Sequence, residues 1–422
     1  MNETERRVLG AIDMDELIAF LRELVAIPSL DGEPGEVAAQ EHVAAWMRRS
    51  GLEVDVWELD FESLHRHPAC SWEVERARGL GVAGVLGADR GGRSLIFNGH
   101  TDVVPAGDLA NWRYPPWQGA VAGGRVYGRG AVDMKGGLCC ALFAARAIRA
   151  AGVPLHGRLI LESVIGEEDG GIGTLGAILR GYTADGAVIV EPTELCVAPA
   201  QAGALNFRLT IPGRSAHGCV REEGVSAIEK FFPIHAALLE LERERNAAAA
   251  RDPLYARYSL PYALCIGKVS AGTWASSVAE SLTAEGRYGL ALGEDIAAAR
   301  RQLEQAVARA AQADPWLRDH PPLVEWWGGR FEPAGIAADH PIAAAVAAAF
   351  GAATGALARL EGMTYGADMR LLVNVGNTPT VMFGPGDVRV AHRPDEYVPI
   401  DDLAAVTRTL ALTALRFCGY EE

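Results

Sequence analysis

Arg158-Leu159-Ile160-Leu161-Glu162-Ser163-Val164-Ile165-Gly166-Glu167-Glu168-Asp169-Gly170 reads as an apolar strand running directly into a glycine-flanked turn that carries adjacent carboxylates. The pattern recurs. Leu95-Ile96-Phe97 leads into Gly99-His100-Thr101-Asp102, and Ala187-Val188-Ile189-Val190 closes on Glu191. In α/β sheets, functional groups gather beyond the carboxyl ends of strands, so an α/β fold with its site along one sheet edge is predicted.

Outward from these runs, strand patterns fall at Leu52 to Leu59, Gly81 to Leu86, Ser94 to Asn98 and Gly186 to Val190. Leu17, Ile18, Leu21, Leu24 and Val25 share a helical face, as do Leu138, Leu142, Ala145 and Ile148 in a helix from about Gly136 to Ala151. After Glu191 the order becomes strand (Ala204 to Ile211), helix (Glu223 to Arg245), two strands (Ala263 to Val269, Ala279 to Leu290), helix (Glu294 to Ala313) and strand (Leu323 to Trp327). This βαββαβ order predicts a ferredoxin-like α+β domain, 203–328, inserted into a catalytic domain of 1–202 plus 329–422. A helix at Pro341 to Phe350, a strand at Thr380 to Phe383 and a helix at Asp401 to Phe417 complete it.

Two domains also suit a chain of 422 residues, with 49% apolar and 22% charged residues. The net charge of −15, without a basic stripe, argues against a nucleic-acid partner. No run is long enough for a membrane span, and the N-terminal Met-Asn-Glu-Thr-Glu-Arg-Arg has no apolar signal region. Seven scattered cysteines without a C-x-x-C pattern fit reduced thiols and a cytoplasmic location.

Histidine and carboxylate are hard ligands for divalent metal, and each candidate also has a plainer reading. His100 sits at a strand end, and Asp102, two residues on, is placed to hold its second ring nitrogen; alone, the pair also reads as a turn with a capping aspartate. Asp133, in Tyr127-Gly128-Arg129-Gly130-Ala131-Val132-Asp133-Met134-Lys135-Gly136-Gly137, opens a helix through glycines. That segment would also serve as a phosphate loop or an N-cap, although the Walker spacing is absent. Glu167 and Glu168 repel each other unless a cation or proton intervenes; alternatively they are acids preceding a helix that starts near Ile172. Glu191 needs a partner after its buried strand, and His392, in Val390-Ala391-His392-Arg393-Pro394-Asp395-Glu396, would pass alone for a loop residue. Together, five ligands in separate segments point to metal.

Asn98-Gly99-His100-Thr101-Asp102-Val103-Val104-Pro105, Gly128 to Gly137, Gly166-Glu167-Glu168, Glu191-Pro192-Thr193, Gly213-Arg214-Ser215-Ala216-His217-Gly218 and Ala391 to Glu396 resemble a known enzyme family. It is the dinuclear zinc family of acetylornithine deacetylase, succinyl-diaminopimelate desuccinylase, aminoacylases and glutamate carboxypeptidases. The resemblance spans essentially the whole chain. It implies a zinc-peptidase-like mixed-sheet catalytic domain and an inserted ferredoxin-like lid and dimerisation domain. It also implies two Zn²⁺ per subunit, Co²⁺ or Mn²⁺ being admissible to the same ligands. Asp133 bridges the ions, His100 and Glu191 bind one, and Glu168 and His392 bind the other; the Asp133–Met134 peptide bond is cis. Glu167 is then the general base and acid. His217 stabilises the oxyanion from a partner subunit, so a homodimer is implied. Arg370 matches a position that grips a substrate carboxylate, and otherwise reads as a helix arginine paired with Asp368 or Glu361; Arg287 is a second such candidate.

One departure is visible. Many relatives carry Asn-Val-Val-Pro where this chain reads Trp274-Ala275-Ser276-Ser277-Val278-Ala279, so Ser276 or Ser277 stands in for the asparagine. This form is similar to deacetylase-like relatives and N-formyl-aminopyrimidine deformylases. The expected activity is hydrolysis of an N-acyl bond, acetyl or formyl in type, on an amino acid or small amine. The competing expectations are a dipeptidase or carboxypeptidase with the same metals, an inactive zinc-binding scaffold, and a nucleotide-binding enzyme. The unused carboxylate of Glu167 weighs against a scaffold, and the missing phosphate-loop spacing against a nucleotide site.

Overall fold

Six strands make the sheet that carries the site, in the order Glu53–Glu58, Leu80–Leu86, Leu159–Val164, Leu95–His100, Ala187–Ile189, Thr380–Met382. The first two pairings are antiparallel and the remaining three parallel, so the sheet is mixed. In register, His100 lies beside Val164 and Asn98 beside Ile189, which puts the segments after Leu159–Val164, Leu95–His100 and Ala187–Ile189 at one edge. The computed structural model describes residues 1–249 and 252–421.

Alternation along the strands assigns the two faces. On one face, Asn98 Nδ2 donates to Glu162 Oε2 at 2.9 Å and to Thr174 Oγ1 of the helix Ile172–Leu179 at 3.0 Å. On the other lies the helix Gly136–Ala150, buried around almost its whole circumference, as a helix between a sheet and an outer helical layer must be. It enters so closely that a Cβ at Gly137 would sit 1.9 Å from the Val190 carbonyl oxygen. The C-terminal helix Ile400–Cys418 packs over it.

A second, three-stranded sheet, Tyr397–Pro399, Arg125–Tyr127, Ala120–Ala122, was not anticipated. Its strands are too short for alternation to register in the sequence. Gly123 (φ 55°) and Gly124 (φ 71°) make its hairpin turn in the left-handed conformation such turns require. This sheet joins the entry to the Asp133 segment with the chain that follows His392.

The chain divides into two units: residues 1–200, 335–362 and 367–422, and residues 201–334 with 363–366. The seam at Ala334 and Gly335 lies beyond the expected 328, because the strand begun at Leu323 continues to Phe331. The second unit runs Gly203–Pro212, Ala227–Ala249, Leu264–Ala271, Ser281–Leu290, Ile296–Gln312, Leu323–Phe331, which is the expected βαββαβ order. Its antiparallel sheet is ordered Leu264–Ala271, Ser281–Leu290, Gly203–Pro212, Leu323–Phe331. Leu205, Phe207, Leu209 and Ile211 alternate inward from the central strand, and Ile234, Leu238, Leu303 and Val307 from the two long helices complete the same core. No helix among the described residues is long and apolar enough to cross a membrane.

Candidate metal centre

Four candidate residues leave three of the parallel strands together. His100 ends its own strand with no exposed surface, Glu167 and Glu168 follow Val164, and Glu191 follows Ile189. The turn after Val164 needs left-handed backbone, which Gly166 (φ 66°) and Gly171 (φ 79°) supply. Asp133 arrives from the opposite direction, in a segment whose dihedrals (φ −120°, ψ 92°) leave the helix, and the Asp133–Met134 peptide bond is cis.

The carboxylate of Asp133 stands between two imidazoles. Its Oδ1 is 3.3 Å from His100 Nε2 and its Oδ2 is 3.3 Å from His392 Nε2. Glu191 Oε1 lies 3.7 Å from the same nitrogen of His100, and Glu168 Oε1 lies 3.0 Å from that of His392. Ligand atoms all within 4.8 Å of one another occur in two groups, His100 with Asp133 and Glu168, and His100 with Glu167 and Glu191, and His392 approaches Asp133 and Glu168 from the other side. His392 is half exposed and holds a positive φ of 59°, a conformation that costs a branched-free but non-glycine residue energy and is common at functional sites.

Like charges dominate the electrostatics. Burial and the neighbouring Glu191 push the Glu167 carboxyl well above its ordinary range; burial and Asp133 do the same to Glu191 and, more moderately, to Glu168. Burial opposes charge on His100 and His392, but the carboxylates around them outweigh it and hold both imidazoles well above the usual histidine range. Burial likewise works against ionisation of Asp133, yet its bonds to the two histidines keep it low. Glu167 Oε1 and Asp102 Oδ1 are buried without a hydrogen-bond partner. A surplus of buried carboxylate with unsatisfied oxygens, and two imidazoles facing one bridging acid, is a donor set that fits divalent cations.

Asp102 meets His100 through both its carbonyl and its carboxylate. His100 Nδ1 is 3.0 Å from the backbone carbonyl of Asp102 and 3.6 Å from its Oδ1, whose charge works against burial to raise the imidazole pKa, while Oδ2 accepts the Glu168 N–H at 3.0 Å. The aspartate therefore fixes the backbone of one ligand candidate with its side chain and the ring of another with its carbonyl.

Arg370 requires a correction. It is 1% exposed, and its guanidinium donates to the carbonyls of Ala69 (3.2 Å) and Gly170 (2.5 Å), tying the acidic turn to the 69–76 segment rather than presenting a fork to substrate. Arg287, in the second unit, donates to the carbonyls of Ala263 and Thr364 at 3.4 and 3.2 Å. In that unit His217 is exposed and bridges to Ser277, and Ser276 gives its carbonyl to Gly218 at 2.7 Å, so His217, Ser276 and Ser277 form one local group.

One supporting residue went unread in the sequence. Arg76, 9% exposed, holds Asp31 (2.8 Å), Glu36 (3.0 Å) and Asp169 (2.8 Å), three carboxylates from three segments, directly behind the Glu167–Glu168 turn. Lys135 is buried and donates to the carbonyls of Leu24 and Ile27, both at 2.9 Å; burial pulls its pKa down to about 7. It caps a helix end, which disposes of a phosphate-binding role.

The fold and this site define a metal-dependent hydrolase of amide bonds. A profile of Peptidase family M20/M25/M40 matches residues 96–416, and the chain belongs to that family. It is 30% identical to an N-formyl-4-amino-5-aminomethyl-2-methylpyrimidine deformylase from Halalkalibacterium halodurans, over 96% of this chain and 95% of that one. It is 31% identical to a succinyl-diaminopimelate desuccinylase from Methylocella silvestris, over 52% and 55% of the two chains. Among solved structures, the di-peptidase Dug1p from Saccharomyces cerevisiae superposes over all of both chains with a TM-score of 0.79 at 15% identity, a likeness of fold.

Proposed function

We propose that this chain binds two divalent ions, zinc by preference with cobalt or manganese as alternatives, and removes a formyl or acetyl group from the nitrogen of a small amine or amino acid. The observation that carries this reading is Asp133 facing His100 and His392 with its two oxygens at equal distance, beside a Glu167 whose buried Oε1 has no hydrogen-bond partner. The deformylase likeness over nearly the full length supports a formyl group and a heteroaromatic amine.

Bound metal would supply Lewis acidity at the amide carbonyl and lower the pKa of a water. His100 and Glu191 on one side, His392 and Glu168 on the other, and Asp133 between them are the ligands in this reading. Glu167 takes the proton of the attacking water on a carboxylate oxygen and delivers it to the nitrogen of the departing amine. Asp102 orients His100 and the Glu168 backbone.

His217 donates to the developing oxyanion of a partner subunit's substrate, and Ser276 or Ser277 contacts that substrate, in a cytoplasmic homodimer paired through residues 203–328. Ile228, Phe232 and Leu239, exposed along the outer side of the Ala227–Ala249 helix, and the edge strand Leu264–Ala271 support such pairing. No cysteine among the described residues is joined to another in a disulfide, in keeping with a reducing compartment.

The test is a panel of N-formyl and N-acetyl amines and amino acids against dipeptides, run on protein stripped by chelator and reloaded with Zn²⁺. Turnover of N-acyl amines alone, lost on stripping and regained on reloading, is expected. Cleavage of dipeptides in preference would make the chain a dipeptidase with the same centre, and metal binding without any turnover would make it a scaffold.

A further inference from the structure

Asp133 can address both histidines only if its backbone is held, and its own segment cannot hold it. The residue lies outside helical dihedrals, so the N–H groups of Val132 and Asp133 have no helical carbonyl to meet. Both donate instead to one oxygen of Glu396, at 3.1 and 3.3 Å. The other oxygen of Glu396 takes an N–H from Arg129, and the second terminal nitrogen of Arg129 donates to the Pro105 carbonyl at 3.2 Å. The backbone carbonyl of Glu396 accepts the Gly128 N–H at 2.9 Å, closing the same connection through the main chain.

Arg129 is 2% exposed and Glu396 is wholly buried. A buried ion pair is poor value as a source of stability, since an apolar pair of similar volume commonly does as well. What this one accomplishes is geometric. It joins the segment that continues from His100, the turn that carries Asp133 and the loop that carries His392, three pieces otherwise remote in the chain. Outer groups of this kind commonly govern metal affinity almost as strongly as the ligands do.

We propose that Arg129 and Glu396 are positioning residues for the bridging carboxylate, and that through Asp133 they set the affinity of the centre for divalent metal. The proposal rests on the dinuclear reading above. Neither side chain is a ligand; the pair aims one.

Full-length wild type, Glu396→Ala, Glu396→Gln and Arg129→Lys would be stripped of metal, and the dissociation constants for Zn²⁺ measured by competition with a chelator of known affinity. Co²⁺ absorption spectra and thermal melts of the metal-free proteins would be recorded alongside. Glu396→Ala should bind metal about 10- to 100-fold more weakly, with an altered Co²⁺ spectrum. Glu396→Gln, which still offers an oxygen to the two N–H groups, should recover part of that loss. Arg129→Lys keeps the charge but cannot reach both Glu396 and Pro105, and should weaken binding about 10-fold. A merely structural pair would lower the melting temperature and leave the metal constants and spectrum alone; that result overturns the proposal. Should Glu396→Ala fail to fold, wild-type constants in both Glu396→Gln and Arg129→Lys would overturn it equally. Wild type that binds no divalent metal overturns the dinuclear reading, and this proposal with it.

Discussion

Glu167 Oε2 lies 3.8 Å from His100 Nε2, while Oε1 of the same carboxylate is buried with no hydrogen-bond partner. One oxygen is within the electrostatic reach of a ligand candidate and the other is unused by the protein. A group held this way is costly unless it serves the reaction, because buried unsatisfied oxygens destabilise the fold.

Glu167→Gln should therefore keep metal binding and lose turnover, by about 10²- to 10⁴-fold in kcat, the usual worth of a positioned acid–base group. Metal content by elemental analysis and kcat on an N-formyl amine check this. Near-normal kcat would assign the proton transfer to another group.

Arg76→Met should be among the most destabilising single changes in the first unit. It strands Asp31, Glu36 and Asp169 without their shared cation, and removing one partner from a buried pair costs about 3–5 kcal/mol. Denaturant unfolding of the variant should show that loss. A change under 1 kcal/mol would mean that solvent or protonation replaces the guanidinium.

How much of this was legible beforehand follows from where each residue stands. His100, Glu167, Glu168 and Glu191 each terminate a visible apolar run, so strand pattern alone puts them at one edge. The Arg76 network is invisible in that way, since Asp31, Glu36 and Asp169 belong to separate segments with no shared periodicity. Arg129 and Glu396 stood inside motifs already noted, yet only the fold shows them touching across 267 positions. Arg370 was misread because sequence does not reveal that a guanidinium is spent on buried carbonyls.

Glu162 gives a pH dependence that can be isolated. Burial, offset in part by the Asn98 bond, raises its pKa from 4.5 to about 7 in the folded chain. The folded state therefore binds its proton more tightly than the unfolded state does. The associated stability is fully present below pH 4.5 and is lost as pH rises through about 7. Glu162→Gln removes the titration. Relative to wild type, the variant should gain about 3 kcal/mol between pH 4.5 and pH 8, at 1.36 kcal/mol per pKa unit. Parallel stability–pH curves for the two proteins would contradict this.

If His217 acts in a partner's site, inactive His217→Ala and Glu167→Ala proteins should regain activity when mixed under conditions that exchange subunits, because one site per hybrid is then intact. About a quarter of wild-type activity is expected at full statistical exchange, half of the molecules being hybrids with one working site of two. No rescue in demonstrated heterodimers would return His217 to its own subunit or remove it from catalysis.

The central claim is that Asp133 bridges two metal ions, and a crystal structure of zinc-loaded protein with anomalous data at the zinc edge tests it most directly. Two anomalous peaks flanking the Asp133 carboxylate, roughly 3.5–4 Å apart, one against His100 and Glu191 and the other against His392 and Glu168, are predicted. A single peak at full zinc occupancy, or peaks that leave Asp133 out of the ligand set, would contradict the account.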